Sequence, residues 1–326
     1  MNVWLTFLSK AFTIGMTILY GANGEILTER GGNLNLGVPG MMYMGGIGGL
    51  MGAFLYERAV ETPVPFVGAL LSLFFALLFS GFGALIYALL TITLRANQNV
   101  TGLALTTFGV GFGNFLGGSL STMAGGVGQV STAAASGFFR MKLPVLSELP
   151  VVGELLFSYG LLSYIGIVIT IVLHWFLYRS RPGLNLRSVG ESAATADAAG
   201  IDVSRYRYGA IIIGGLIAGL GGLYFVMDYS TGGWNNNGFG DLGWLAVALV
   251  IFARWRPLNV IWGSWLFGAL YILYLYIGGL GRQMQEVFRA LPYIVTIIVL
   301  VITSLRKKRE DQPPAALGIP YFREER

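Results

Sequence analysis

No cysteine occurs anywhere in the 326 residues, and histidine occurs once, at His174. The first absence excludes disulfides, thiol nucleophiles and cysteine-ligated metal, without identifying a compartment. The second leaves no histidine pair for a zinc site, so no metal site is expected. Charge is scarce too. Only 11% of the residues are Asp, Glu, Lys or Arg, against about 25% in soluble globular domains. The phosphate-loop pattern Gly-x-x-x-x-Gly-Lys-Ser/Thr is missing, so any ATP that powers this protein is hydrolysed by another polypeptide. A basic leader is lacking as well. The apolar run at 1–27 is too long for a signal-peptide core and is expected to stay as a helix.

What fills the chain instead is apolar: 55% of residues are hydrophobic and the mean hydropathy is +0.67. A helix needs about 20 apolar residues to cross the hydrocarbon core. Runs of that kind lie near 3–27, 34–56, 64–94, 99–121, 154–178, 207–228, 240–253, 259–279 and 291–305. The fold class is therefore all-α, a polytopic membrane protein with about 8–10 transmembrane helices. Glycine-dense stretches at 31–52, 109–125 and 232–243 interrupt the pattern, and a broken or re-entrant helix is expected near 31–42. The run at 64–94 is long enough for one tilted helix or for a helix with a re-entrant piece. The chain divides into a membrane domain at 1–305 and a short cytoplasmic tail at 306–326, which reads as an appendage.

Orientation follows from the basic residues of the short loops. Arg179, Arg181, Arg187, Arg205 and Arg207 cluster between two runs, and Arg306-Lys-Lys-Arg309 opens the tail. With Arg95, Arg254 and Arg256 they fall on one side, the cytoplasm, if every run crosses once. The N-terminus then lies outside for nine crossings and inside for ten. The net charge of +5 belongs to these loops and does not point to nucleic acid.

Most motifs have plain structural readings. Gly238-Phe-Gly-Asp-Leu-Gly243 matches a dinucleotide fingerprint but lacks the preceding strand and the βαβ unit. The pairs Gly45/Gly49, Gly48/Gly52, Gly109/Gly113, Gly113/Gly117 and Gly215/Gly219 have the spacing of close helix contacts, within the subunit or between subunits. His174, beside Trp175 and Tyr178, reads as an interfacial anchor. Glu25, Glu29, Asp228 and Asp241 fall at the ends of spans, where hydration and function are equally open readings. No arginine lies clearly inside a span. Uncharged polar groups form the better candidate path: Asn33, Asn35, Gln98, Asn99, Thr101, Asn114 and the run Asn235, Asn236, Asn237, next to the aromatic faces of Trp234 and Phe239. Amides beside aromatics suit a neutral, flat, polar ligand, although hydrogen bonding between helices uses the same groups.

One polar segment stands apart. Arg187-Ser-Val-Gly-Glu-Ser-Ala-Ala-Thr-Ala-Asp-Ala-Ala-Gly-Ile201 is rich in small residues, holds Glu191 and Asp197, and breaks at Gly190 and Gly200. Such a stretch suits docking to a second protein, and an ordinary loop is the plain alternative. It resembles the coupling loop of ABC importer permeases. Three further stretches extend the likeness: Glu25-Ile-Leu-Thr-Glu-Arg-Gly-Gly-Asn-Leu-Asn-Leu-Gly-Val-Pro-Gly-Met-Met42, Trp255-Arg-Pro257, and Ala315-Ala-Leu-Gly-Ile-Pro-Tyr321. Together they resemble the permease subunit of nucleoside ABC importers, within the branched-chain amino acid, ribose and galactose permease superfamily. Two departures stand out: Pro39 sits where the pattern usually has Glu, and Arg254 where it usually has Gly or Lys.

The resemblance implies a non-catalytic transport subunit in the cytoplasmic membrane of a prokaryote. It implies an ATPase partner holding ATP and Mg, a second, paralogous permease, and an extracytoplasmic substrate-binding protein. The chain itself would bind no cofactor. The coupling loop would span about 183–204, with Arg187, Gly190, Glu191, Ala194, Asp197 and Gly200 facing the ATPase. Riboflavin or simple-sugar permeases are related alternatives. An ion-coupled secondary transporter is the alternative of another class, and would call for carboxylates in mid-span and inverted repeats.

Overall fold

The computed structural model describes residues 3–126, 130–142, 153, 157–279, 281–306 and 312–322. Among them every regular element is helical, as a lipid-embedded chain requires, because a helix satisfies its own backbone groups. The helices are α1 (Val3–Arg30), α2 (Val38–Ala59), α3 (Pro65–Ala88), α4 (Gln98–Ala124), α5 (Ala133–Phe139), α6 (Leu161–Arg179) and α7 (Arg181–Glu191). After these come α8 (Ala193–Ala198), α9 (Val203–Tyr224), α10 (Leu242–Phe252), α11 (Pro257–Tyr276), α12 (Arg282–Arg289) and α13 (Leu291–Arg306). Two helices end in π-turns: α3 continues through Leu89–Thr93 and α9 through Phe225–Tyr229.

Among the described residues, eight helical stretches are long and apolar enough to cross a membrane. The long run near 64–94 is one of them, a single helix from Pro65 to Thr93 with no re-entrant piece. The run near 240–253 departs from the expected crossing. Its helix α10 has 11 residues, a rise of about 16 Å, or half the hydrocarbon thickness. A non-helical leader at 230–241 brings the chain down to it.

The basic loops gather at one end of the bundle. The Arg95 guanidinium lies 4.6 Å from the Phe322 ring, Arg207 Nη1 donates to Ile319 O at 3.2 Å, and Arg30 donates to Trp255 O from Nε and Nη2 at 3.2 and 3.0 Å. At the other end Phe7 packs edge-on against Tyr276 at 5.0 Å, and Glu57 accepts the first amides of α5, from Ala134 and Ala135. Helix α1 therefore starts at the end opposite the arginines, the end that the rule of positive cytoplasmic loops assigns to the outside.

Glycine lets these helices close up. At Gly45 an added Cβ would fall 2.5 Å from Gly219 Cα, and at Gly109 it would fall 2.5 Å from Gly40 Cα. The α2–α9 and α2–α4 crossings are thus backbone against backbone, which small residues permit. The Gly-x-x-x-Gly pairs singled out in the sequence all meet other helices of this same chain, or Trp234 in the case of Gly113 and Gly117.

Candidate functional site

The polar candidates separate into three places. The first is the break between α1 and α2. Residues 31–37 run as irregular chain inside the bundle, with Asn33 and Asn35 at 0% and 1% exposure. Leu34 N donates to Gln98 Oε1 at 2.8 Å, Thr106 Oγ1 donates to Leu36 O at 2.7 Å, and Tyr87 donates to Leu34 O. Gly37 N donates to Asn35 Oδ1 at 3.0 Å. Asn35 and Gln98 thereby stand in for a helix's own hydrogen bonds. Both amide atoms of Asn33 and Nε2 of Gln98 find no partner among the described residues.

The break is shorter than 31–42. Residues 38–42 are already helical, and Pro39 stands in the first turn of α2, where a missing N–H leaves nothing unpaired. This gives the departure at Pro39 a local rationale. Asn99 is exposed at the start of α4 and separate from this cluster.

The acidic residues of α1 correct another expectation. Glu25 and Glu29 are buried, at 0% and 4% exposure, so they are not hydrated charges at a span boundary. Trp255 Nε1 donates to Glu29 Oε2, and both Glu25 oxygens lack a well-formed partner among the described residues. Arg30 and Arg207 are likewise buried ends of spanning helices. The turn that carries Trp255 is strained: Arg254 and Trp255 have φ of +56° and +55°, the left-handed region that favours glycine. That geometry explains why a related pattern would place Gly at position 254. The contacts of Trp255 with Glu29 and Arg30 hold the turn. Removing the acceptor with Glu29→Ala is expected to cost about 1–3 kcal/mol, read as a fall in the detergent melting temperature of the purified chain. Glu29→Gln, which keeps an acceptor, should lose less.

The second place is the segment after α9. Phe239 is buried, stacked on Phe225 at 4.3 Å and 4.5 Å from Tyr43. Trp234 is buried against Gly117, edge-on to Tyr43, and its Nε1 donates to Asn236 Oδ1 at 3.0 Å. The faces of both rings are covered by protein in this conformation. Asn235, Asn236 and Asn237 are exposed. Asn237 is tied to α4 twice: Asn114 Nδ2 donates to its Oδ1 at 2.8 Å, and its own N donates to Asn114 Oδ1 at 3.1 Å.

That pairing joins Asn114, one of the candidate amides, to a wider face of α4 that the sequence reading did not assemble. Helix α4 leans on α2, and its far side stays open. It presents Thr107, Phe108, Gly111, Phe115, Ser119 and Thr122, with half-buried Asn114 among them. Phe115 is 71% exposed, whereas uncharged polar groups share the face with it. The hydroxyls bond back to their own helix, Thr107 to Leu103 O, Ser119 to Phe115 O and Thr122 to Gly118 O, each at 3.0 Å, so the amides of Asn114 and Asn237 are what sets this face apart from a plain lipid-facing one. The signal was present as a period of three to four along 107–122.

The third place is the segment between α6 and α9. Ser180 caps α7 by accepting from Gly183 N at 3.0 Å, and Ser192 caps α8 by accepting from Thr195 N at 3.3 Å. Glu191, Ala194 and Gly200 are exposed on the resulting helix–turn–helix, and Asp197 is half-buried. Arg187 instead covers the Tyr178 ring at 4.8 Å, and Gly190 is pressed against Arg30 O and Gly32 N, so these two face inward. Nor is the tail a loose appendage. Its residues 314–322 pack against α7, α8 and the break. A polar cavity of about 360 Å³ between these parts is lined by Thr91, Arg95, Asp197, Ser204, Arg207 and Tyr321.

An irregular chain buried between helices, a half-length helix and a capped polar hairpin on the basic side together describe a transport subunit more than any soluble machine. Residues 7–300 match the family described as branched-chain amino acid transport system, permease component. The chain belongs to that family. TsgC13 of Haloferax volcanii, provisionally named a glucose ABC transporter permease protein, is 33% identical over 94% of both chains. The nucleoside ABC transporter permease protein NupC of Lactococcus lactis is 29% identical over 87% of this chain and 88% of its own. The guanosine ABC transporter permease protein NupQ of Bacillus subtilis is 29% identical over 95% and 94%. The permease is thus a multi-pass component of an ABC transporter in a prokaryotic cytoplasmic membrane, working with an ATPase and a substrate-binding protein.

Proposed function

We propose that this permease forms half of the translocation path of a nucleoside importer, pairing with a second, paralogous permease. ATP and Mg would be held by the ATPase partner, and this chain would carry no cofactor and no catalytic group. The observation that supports this reading is the open face of α4, where Thr107, Asn114 and Asn237 adjoin Phe108 and Phe115. Uncharged donors and acceptors beside aromatic rings fit a neutral solute with ribose hydroxyls and a flat base. The amides of Asn33 and Gln98 that lack partners offer the same chemistry deeper in the bundle. Two of the relatives are named for nucleosides, and the glucose name of the third keeps a sugar as the second reading.

The test is uptake by the complete transporter in proteoliposomes, using labelled uridine, adenosine and guanosine. Unlabelled glucose, riboflavin and branched-chain amino acids serve as competitors. Nucleosides are expected to compete with each other and the other solutes to leave uptake unchanged. Failure of all three nucleosides, with glucose taken up instead, would overturn the substrate class.

A further inference from the structure

The tail touches both the docking hairpin and the buried break. On the hairpin side Ala316 N donates to Gly190 O at 3.0 Å, Ala315 N to Glu191 Oε2 at 3.4 Å, and Tyr321 Oη to Asp197 Oδ2 at 2.6 Å. The Tyr321 ring packs on the apolar cluster of Val189, Ala193, Ala196 and Val203 that holds α7, α8 and α9 together. On the other side Gly318 N donates to Gly32 O at 3.1 Å, and Ile319 O accepts from Arg207. Phe322 lies under Arg95, between α3 and α4. Between these anchors the tail is stiffened by its own turns, Leu317 N to Pro314 O at 3.1 Å and Ile319 N to Ala316 O at 3.2 Å, with Gly318 at φ +79°.

We propose that residues 314–322 are a transmission strap that carries displacement of the α7–α8 hairpin to the 31–37 break. It acts through Tyr321 on Asp197 and Gly318 on Gly32. These residues position the path and do not touch the solute. The geometry requires little. A rigid body bonded to the hairpin at three points and to the break at Gly32 moves the second when the first moves. The inference rests on the reading that an ATPase docks on the hairpin.

The chain has no cysteine, so a single thiol reports cleanly on the break. Leu34→Cys, at a half-buried site, is labelled with a maleimide in the assembled complex, with and without ATP hydrolysis arrested as ADP–vanadate. With the strap intact, trapping is expected to change the labelling rate by about tenfold, the size of one hydrogen bond to a carboxylate gained or lost. In a chain ending at Pro313 that change should vanish while assembly and basal ATP hydrolysis persist. A truncated chain that still shows it overturns the strap. If truncation prevents assembly, Tyr321→Phe decides, because it keeps the ring and removes only the donor. Its uptake per ATP hydrolysed should fall by about tenfold, and an unchanged ratio overturns the proposal. If ATP has no effect on the intact chain, the docking reading fails and the strap with it. The identity of the solute does not enter the labelling outcomes, and the uptake ratio uses whichever solute the intact transporter carries.

Discussion

Ala194→Trp is expected to abolish ATP-driven uptake while leaving the permease folded. Ala194 is exposed on α8, whereas its neighbours Ala193 and Ala196 point into the cluster beneath. An indole there meets no part of this chain, so the melting temperature should stay within a degree or two of the parent. What it would meet, if the hairpin docks as proposed, is the ATPase. Forcing a large side chain into a well-packed contact costs about 1–3 kcal/mol, which corresponds to roughly ten- to hundredfold in association. Co-purification of the ATPase subunit and uptake in proteoliposomes should fall together. Full uptake by the variant would remove the hairpin from the docking surface.

Gly45→Leu should act in the opposite way, on folding first. The new side chain would start 2.5 Å from Gly219 Cα and 2.7 Å from its carbonyl carbon, and backbone atoms cannot rotate aside. Helix α9 would have to retreat from α2, and Gly219 itself is pressed on Ser80 of α3, so the shift spreads to a third helix. The cost lies at the upper end of overpacking, about 3 kcal/mol or more. Loss of monodisperse protein in detergent is the readout, and a stable, active Gly45→Leu variant would contradict the packing described for this crossing.

Much of this architecture was legible in advance because lipid imposes simple rules. Apolar runs gave the long helices, and the basic loops of the sequence gather at one end of the bundle. The hairpin could be read because polarity and small residues are conspicuous between two apolar helices. The break at 31–37 was also visible, through Gly31, Gly32 and Gly37.

What escaped the reading depends on neighbours distant in sequence. Glu25 and Glu29 looked like boundary charges, because nothing local tells that α2 restarts inside the bundle and that Trp255 covers them. Helix α10 looked like a crossing because hydropathy counts apolar residues without asking whether the chain before them is helical. The tail looked idle since its partners, Gly32, Gly190 and Asp197, lie more than a hundred positions away. Trp234 and Phe239 could be chosen as aromatic, but their packing on Tyr43, Phe225 and Gly117 could not. The open face of α4 was read only in part: Asn114 stood among the candidate amides, but Thr107 and Thr122 are unremarkable singly and meaningful only as one side of a helix.

The π-turn at the end of α9 has a mechanical side. Ser230 N donates to Phe225 O at 2.8 Å, five residues back, so this turn holds one residue more than an α-turn would. Such a turn is a stored slack. Drawing it straight into α-geometry would rotate everything beyond it by one residue's share of the helix, about 100°. Phe225, which backs Phe239, lies within that turn, and the exposed Asn235–Asn237 run hangs from its end. A change of pitch there would have to break both Asn114–Asn237 bonds and lift Trp234 from Gly117, so those contacts are the catch that holds the slack in place.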